Sequence, residues 1–262
     1  MGLLGELHEA LSRAGDARVR DWPLLGSPLP LLALLAGYLW VVKVAAPRLM
    51  RGRAPCRLRA PVAAYNLLQV LANACLFHGL LTNGWTKNFN LGCYMPDYSD
   101  NPEALKMATL VWYELCLKVV DLIETVLFVL RGKEKQASFL HVYHHVATVL
   151  IVYTGAKFVP GGYATFAMLV NNLVHVLMYS YYLVTVCGPR ARGALARVKR
   201  YLTLLQMVQF VLVAVHYVNV MVRPDCPAPR FIHYMFLPYI GLMFYLFYDF
   251  YRSAYRPGKD KL

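Results

Sequence analysis

Seven long apolar runs divide the chain, and short stretches rich in charged or turn-forming residues separate them. Each run reaches or approaches the roughly 20 residues that an α-helix needs to cross the hydrocarbon core of a bilayer. The pattern therefore predicts an all-α membrane protein with seven transmembrane helices, forming one polytopic domain over residues 1–262. The predicted spans are 29–50, 60–82, 105–130, 138–156, 162–186, 201–222 and 231–250.

Composition favours the same class, because 58% of the 262 residues are hydrophobic and only 16% are charged. The net charge of +13 would suit nucleic acid, but the cations alternate between loops. Residues 48–59, 131–136, 187–200 and 251–262 together hold 17 of the 27 Lys and Arg, whereas the segments on the opposite side hold seven. The positive-inside rule then predicts an N-terminus outside the cytosol, a cytosolic C-terminus and no nucleic-acid partner.

The predicted topology also assigns each of the six cysteines to a span, to a cytosolic loop or to a lumenal loop. Cys93 and Cys226 are the two that fall in loops on the lumenal side, where disulfides persist. We predict that they pair and tie the 83–104 loop to the loop before the last span. The alternative is that both are free thiols.

Three histidines, His141, His144 and His145, lie inside the fourth apolar run. Their i, i+3 and i+4 spacing places the three imidazoles within roughly 100° of one helical face. Ionisable side chains are costly at membrane depth, so such a cluster indicates a functional site. The structural alternative is a polar seam in which neighbouring groups satisfy the histidines.

Polar residues in the other spans are few, and Lys118 and Asp121 lie at i, i+3, where each can neutralise the other. At about 1.5 Å per residue from the cytosolic ends, His144 lies roughly 12 Å deep and Gln206 and Gln209 roughly 9–14 Å deep. On the same count, His175, Lys118 and Asp121 lie roughly 15–20 Å deep. This common layer predicts a polar pocket that opens to the cytosol, with apolar helices beyond it. Such a pocket suits a substrate with a charged head and a long lipid tail. The other polar residues singled out are Glu124, Thr125, Asn171, His175, Tyr179, Tyr181, Tyr182, Thr203, Gln206 and Gln209.

Four motifs in this order resemble those of the very-long-chain fatty acid elongases, the ELO family of 3-oxoacyl-CoA synthases. The residues 118–125 resemble K-x-x-E-x-x-D-T, 141–145 resemble H-x-x-H-H, 175–182 resemble H-x-x-M-Y-x-Y-Y, and 203–209 resemble T-x-x-Q-x-x-Q. The resemblance covers almost the whole chain. It departs from the pattern at one place, where Asp121 and Glu124 exchange the two acidic residue types.

The resemblance implies a fold in which six of seven helices ring a narrow acyl tunnel, open to the cytosol and closed on the lumenal side. It implies a condensing enzyme of fatty acid elongation in the endoplasmic reticulum membrane, with acyl-CoA and malonyl-CoA as substrates and no cofactor or metal. The other enzymes of the elongation cycle are the implied partners. A homo- or hetero-oligomer and the acyl chain preference stay open.

Side-chain chemistry then suggests roles for the motif residues. We expect His144 to be a nucleophile that forms an acyl-imidazole, with His175 as its partner. We expect His141, His145, Asn171 and Gln209 to orient the imidazoles or to donate to oxyanions. Arg131, Lys133 and Lys199 could bind the phosphates of CoA or could be ordinary topology-setting charges. The full set of expected substrate-binding residues is Lys118, Asp121, Arg131, Lys133, Gln136, Tyr179, Tyr181, Tyr182, Lys199, Thr203 and Gln206.

Two other functions are compatible with parts of the pattern. A membrane di-iron desaturase or hydroxylase would use H-x-x-H-H to bind iron. This chain offers one such box plus His175, four plausible ligands, whereas those enzymes resemble one another in carrying several boxes. A non-catalytic seven-span receptor or transporter would not explain four polar motifs in one cytosolic layer.

Overall fold

The computed structural model describes residues 9–10, 12–87 and 91–255. Regular structure in these residues is helical and includes no β-strand, which confirms the expected all-α fold. The helices, in chain order, are α1 Pro28–Met50, α2 Arg59–Leu80, α3 Pro102–Leu130, α4 Phe139–Phe158, α5 Thr165–Val186, α6 Pro189–Ala194, α7 Ala196–Met221 and α8 Arg230–Tyr255. Helix α1 contains a π-helical turn at Val41–Ala45, and another π-helical turn, Leu81–Trp85, follows α2 directly.

Five of these helices, α1, α2, α5, α7 and α8, are long and apolar enough to cross a membrane, as a multi-pass membrane protein requires. The helices α3 and α4 occupy the third and fourth predicted spans, but they carry the charged motif and the histidines. Neither helix is among the five that meet both the length and the composition expected of a membrane-spanning helix. The seven-span count and the acyl tunnel stay predictions.

Side-chain caps mark where α3 and α4, two of the helices of the predicted site, begin. Asn101 accepts a hydrogen bond from the backbone N–H of Ala104 and precedes Pro102, a residue preorganised for the first helical position of α3. Ser138 accepts from the backbone N–H of His141 at the start of α4. The cap of α4 therefore positions the first histidine directly.

The chain forms two compact units. The first unit comprises the described residues of Met1–Leu58 and Pro96–Ala164, with α1, α3 and α4. Its interior contains apolar side chains such as Leu31, Leu115 and Val149, which are almost fully shielded from solvent, together with buried charged ones such as Lys118. The histidines and the charged motif of α3 both belong to this unit.

The end of α4 holds the N-terminal segment of the first unit. The Lys157 ammonium donates a 2.7 Å hydrogen bond to the carbonyl of Leu25, and the Asp16 N–H donates to the Lys157 carbonyl at 2.8 Å. Gly15 has a positive φ of 97°, and a Cβ there would lie 2.4 Å from the Lys157 carbonyl oxygen. Glycine is therefore required for this close approach.

The second unit comprises the described residues of Arg59–Met95 and Thr165–Leu262, with α2, α5, α6, α7 and α8. The Trp85 indole donates a 3.0 Å hydrogen bond to the Thr165 hydroxyl and packs edge-on against the His216 ring. A disulfide joins Cys93, beyond α2, to Cys226, between α7 and α8. The predicted pairing of these cysteines is confirmed.

The disulfide gives a direct test. Because it links positions 133 residues apart, we expect Cys226→Ser to destabilise the folded chain by about 2–4 kcal/mol and to lower its midpoint of thermal unfolding in detergent. Alkylation of the unfolded, unreduced protein should label the four free cysteines, and reduction should raise the number to six. Cys56→Ser is the matched control and should leave the midpoint unchanged. Six labels without reductant would contradict the assignment.

Candidate active site

The three histidines of α4 form one cluster, called here the histidine cluster. The ring centroids of His141 and His145 lie 4.3 Å apart, and those of His144 and His145 lie 5.3 Å apart. The residue His145 is 5% exposed, whereas the His141 side chain keeps 19% of its surface exposed. The helical spacing thus brings the imidazoles together as the sequence predicts, at the N-terminal end of α4.

Helix α3 supplies the groups that face this cluster. The Glu124 carboxylate oxygen Oε2 lies 3.8 Å from His145 Nε2 and 4.0 Å from His141 Nε2. The Thr125 hydroxyl lies 3.1 Å from His141 Nε2, within hydrogen-bond distance. The hydroxyl can fix the orientation and the tautomer of the His141 ring, and the carboxylate brings a negative charge beside both imidazoles.

A tyrosine of α1 also reaches this position. The Tyr38 hydroxyl and the Thr125 hydroxyl form a buried 2.8 Å hydrogen bond. Thr125 therefore joins α1 to the histidine cluster across 87 residues of sequence. Sequence reasoning did not identify Tyr38, because one tyrosine in an apolar span gives no signal of its own.

Lys118 is the centre of a buried charged network on α3. Its ammonium lies 3.1 Å from Glu114 Oε1 and 3.6 Å from Asp121 Oδ2. The side chains of Lys118, Glu114 and Asp121 are between 0% and 3% exposed. The expected Lys118–Asp121 pair is present, and the predicted contact of Lys118 with substrate stays a prediction.

Glu114 is a residue that sequence reasoning missed. It lies one helical turn before Lys118, outside the motif that begins at Lys118. The signal was an i, i+4 Glu–Lys pair, which places the two side chains on one helical face. The two carboxylates flank Lys118 along the helix, so the lysine can be accommodated away from water at a lower cost than if it were isolated.

The expected CoA-binding residues of the first unit lie in the loop between α3 and α4. Arg131 is half-buried, and Lys133 and Gln136 are exposed. The loop folds back on itself, since the Lys133 N–H donates to the Phe128 carbonyl and the Gln136 N–H donates to the Lys133 carbonyl. Solvent can therefore reach these side chains immediately before the histidine helix.

In the second unit, His175 and Tyr179 form the buried part of the α5 motif. The residue His175 is 5% exposed, and its ring centroid lies 5.6 Å from that of the fully buried Tyr179. Tyr182 lies 5.9 Å beyond Tyr179, and Tyr181 lies beside Tyr182. Helix α5 thus presents an aromatic row that leads to His175.

The neighbouring asparagines of α5 differ in burial. Asn172 is fully buried, whereas Asn171, the residue singled out from the sequence, is half-buried. The catalytic role expected for Asn171 stays a prediction.

Helix α7 carries the remaining expected residues. The Gln206 amide lies 3.4 Å from the Met178 sulfur, which joins α7 to α5 three residues after His175. Thr203 and Gln209 are buried, and Lys199 is exposed. The pairing of His144 with His175, which belong to different units, stays a prediction.

Comparison with known proteins identifies close similarity over most of the chain. A sequence model described as "ELO: GNS1/SUR4 family" matches residues 23–262, a range that contains every expected site residue. The chain is 40% identical over 262 residues to a very long chain fatty acid elongase of Aedes aegypti, covering 100% of this chain and 73% of the relative. It is 35% identical over 255 residues to very long chain fatty acid elongase 1 of Mus musculus, covering 97% and 91%. It is 37% identical over 247 residues to very long chain fatty acid elongase 4 of Homo sapiens, covering 94% and 78%.

The buried network on α3 predicts a large difference between two glutamates. Glu114→Ala removes a partner of a buried ammonium, so we expect a loss of about 3 kcal/mol of stability and a lower midpoint of thermal unfolding in detergent. Glu134→Ala, at an exposed position, should change the midpoint little. Equal midpoints for the two variants would contradict a structural role for the Glu114–Lys118 contact.

Proposed function

The chain belongs to the ELO family of very long chain fatty acid elongases, and we propose that it catalyses the condensing step of fatty acid elongation as an acyltransferase. In this step a long-chain acyl-CoA and malonyl-CoA give a 3-oxoacyl-CoA two carbons longer, with release of CO2 and CoA. The observation that carries the proposal is the histidine cluster of α4 beside Glu124 and Thr125 of α3.

The reaction begins with acyl transfer to His144. A ring nitrogen of His144 attacks the thioester carbonyl, the carbon–sulfur bond breaks, and the CoA thiolate leaves with a proton from the imidazole or from solvent. The product of this half-reaction is an acyl-imidazole. The Nε2 atoms of His141 and His145 lie toward Glu124, which suits orienting roles and supports the choice of His144 as the nucleophile.

The second half-reaction forms the carbon–carbon bond. Malonyl-CoA loses CO2, and the electron pair of the broken bond becomes an enolate that attacks the acyl carbonyl. The bond between the His144 nitrogen and the acyl carbon then breaks, and its electron pair stays on the imidazole that leaves. Over both steps one proton is consumed, and it appears on the released CoA. No oxidant or reductant is needed.

Developing negative charge requires donors in both half-reactions. Imidazole N–H groups of the histidine cluster, together with the amides of Asn171 and Gln209, are the proposed donors, and His175 is the proposed partner of His144. Glu124 Oε2 lies 3.8 Å from His145 Nε2 and 4.0 Å from His141 Nε2. We propose that it closes to hydrogen-bond distance of one of these N–H groups when substrate binds, and so holds the ring that donates.

The phosphates of CoA call for exposed cations near the histidine helix. Arg131 and Lys133, with Gln136, lie in the loop that leads into α4, and they are proposed to bind the CoA head. Lys199, Thr203 and Tyr181 of the second unit are proposed to contribute as well. Lys118 and Asp121, and Tyr179, Tyr182 and Gln206, are proposed to line the deeper part of the site.

Supply of malonyl-CoA sets the proposed location. Malonyl-CoA is cytosolic, so the site is proposed to open to the cytosol from the endoplasmic reticulum membrane, with a lumenal N-terminus and a cytosolic C-terminus. The 3-oxo product must next be reduced and dehydrated, and the enzymes that do so are the proposed partners.

The first test removes the nucleophile. We expect His144→Ala to lower incorporation of radiolabelled malonyl-CoA by at least about 100-fold across a length series of acyl-CoA substrates. His78→Ala, a histidine loss at an exposed position of α2, is the control and should keep full activity. If His144→Ala keeps more than a tenth of the activity of the unaltered protein, His144 is not the nucleophile.

The second test asks whether the acyl group becomes attached to the protein. Mixing the enzyme with acyl-CoA alone should release about one CoA per active site and leave an acyl adduct at His144, because acyl transfer precedes malonyl-CoA binding in the covalent route. A thiol-reactive dye measures the CoA, and peptide mass spectrometry locates the adduct. If no CoA is released, malonyl-CoA attacks the acyl-CoA directly in a ternary complex and the acyl-imidazole is wrong.

A further inference from the structure

Three potential metal ligands converge at the contact between α3 and α4. They come from Glu124, His141 and His145, each of which offers one ligand atom, and these three atoms lie within 4.8 Å of one another. The two carboxylate–imidazole distances are 4.0 Å and 3.8 Å. All three residues belong to the first unit, and each helix is fixed at its start by a side-chain cap.

The donor set matches the preferences of divalent transition metals. Two imidazole nitrogens and one carboxylate oxygen are the ligands that Zn2+, Co2+ and Fe2+ accept in proteins. With bonds of roughly 2.1 Å, tetrahedral ligands lie about 3.4 Å apart, so each atom would move by roughly 0.5–1 Å to close around an ion. Side-chain torsions alone can supply such a shift.

Formal charge gives an independent reason to expect a cation here. Between Met107 and Val129 of α3, the sequence places three carboxylates against one lysine. Between Phe139 and Ala156 of α4, it adds histidines but no Lys or Arg. The three carboxylates, Glu114, Asp121 and Glu124, are 0%, 2% and 7% exposed. Groups so shielded favour a neighbouring positive charge, and a divalent ion at Glu124 would offset the formal excess of two negative charges.

We propose that Glu124, His141 and His145 form a binding site for one divalent transition-metal ion of the Zn2+ type, and that the bound ion inhibits the enzyme reversibly. The ion takes the nitrogen lone pairs of His141 and His145 and the carboxylate of Glu124. These imidazoles can then no longer orient His144 or donate to an oxyanion. The inhibitory part rests on the proposed function, whereas the binding part does not.

The binding test uses metal spectroscopy. Full-length protein in detergent is stripped with a chelator and titrated with Co2+, whose visible absorption intensifies when nitrogen and oxygen ligands surround it in a four-coordinate site. We expect one equivalent to bind, and we expect Glu124→Gln and His145→Gln to weaken binding by at least about tenfold. His78→Gln and Glu134→Gln remove the same residue types at exposed positions and should bind as the unaltered protein does.

Two further measurements distinguish the loss of a metal ligand from the misfolding of a variant. X-ray absorption on the unaltered protein loaded with Zn2+ should detect two imidazole ligands and one or more oxygen ligands, without any substitution. Zn2+ should also raise the midpoint of thermal unfolding of the unaltered protein but not of Glu124→Gln. Absence of a one-equivalent Co2+ complex, or a Zn2+ site without imidazole, would overturn the proposal.

The inhibition test is separate. Addition of Zn2+ should abolish elongation by the unaltered protein, and a chelator should restore it. Elongation activity without Co2+ binding would contradict the metal site but not the proposed function. Co2+ binding without any elongation of acyl-CoA would contradict the proposed function but not the metal site. Activity that is unaffected by bound Zn2+, or increased by it, would overturn the inhibitory role.

Discussion

The cost of keeping charged groups away from water governs the first unit. Lys118 is almost fully shielded, and two carboxylates, one helical turn before it and almost one turn after it, share its charge. In a medium of low dielectric constant the attraction is strong, but so is the penalty for an isolated ion. The network stabilises two turns of α3, and Glu124 and Thr125 lie in the next turn of the same helix. The histidine cluster meets α3 at those two residues.

At the other end of α4, the cost of burying a charged group is lowered in a different way. The Lys157 ammonium is offset by backbone carbonyl oxygens, of which that of Leu25 is the closer at 2.7 Å, and Asp16 returns a hydrogen bond to the Lys157 carbonyl. Carbonyl dipoles stabilise a cation without adding a titratable partner. One end of α4 thus carries groups suited to proton transfer and nucleophilic attack, while the other end is an anchor for the N-terminal segment. The close contact at Gly15 shows how tightly that anchor is built.

The sequence was sufficient to predict features that depend on helical spacing or on membrane topology. It was not sufficient to predict side-chain contacts between helices that are distant in the chain. The spacing of His141, His144 and His145 determined their shared face, and the loop assignment of Cys93 and Cys226 identified the disulfide. Glu114 was missed although its i, i+4 spacing to Lys118 is local, because the motif was read from Lys118 onward. Tyr38 could not have been found, since its contact with Thr125 depends on how α1 packs against α3.

Helices α3 and α4, which carry the charged network and the histidine cluster, are the two long helices that fall outside the five apolar ones. This is what the proposed reaction demands. The proposed nucleophile lies on α4 and the groups that orient it lie on both helices, and each such residue replaces an apolar side chain. Helices α3 and α4 can carry polar side chains in place of apolar ones because some of these groups face each other. Glu124 of α3, for example, faces His145 of α4, which lowers the cost of removing both from water. Packing of α3 against α4 is therefore a condition for the proposed catalysis, because a substitution that separates the two helices would also separate Glu124 and Thr125 from the histidine cluster.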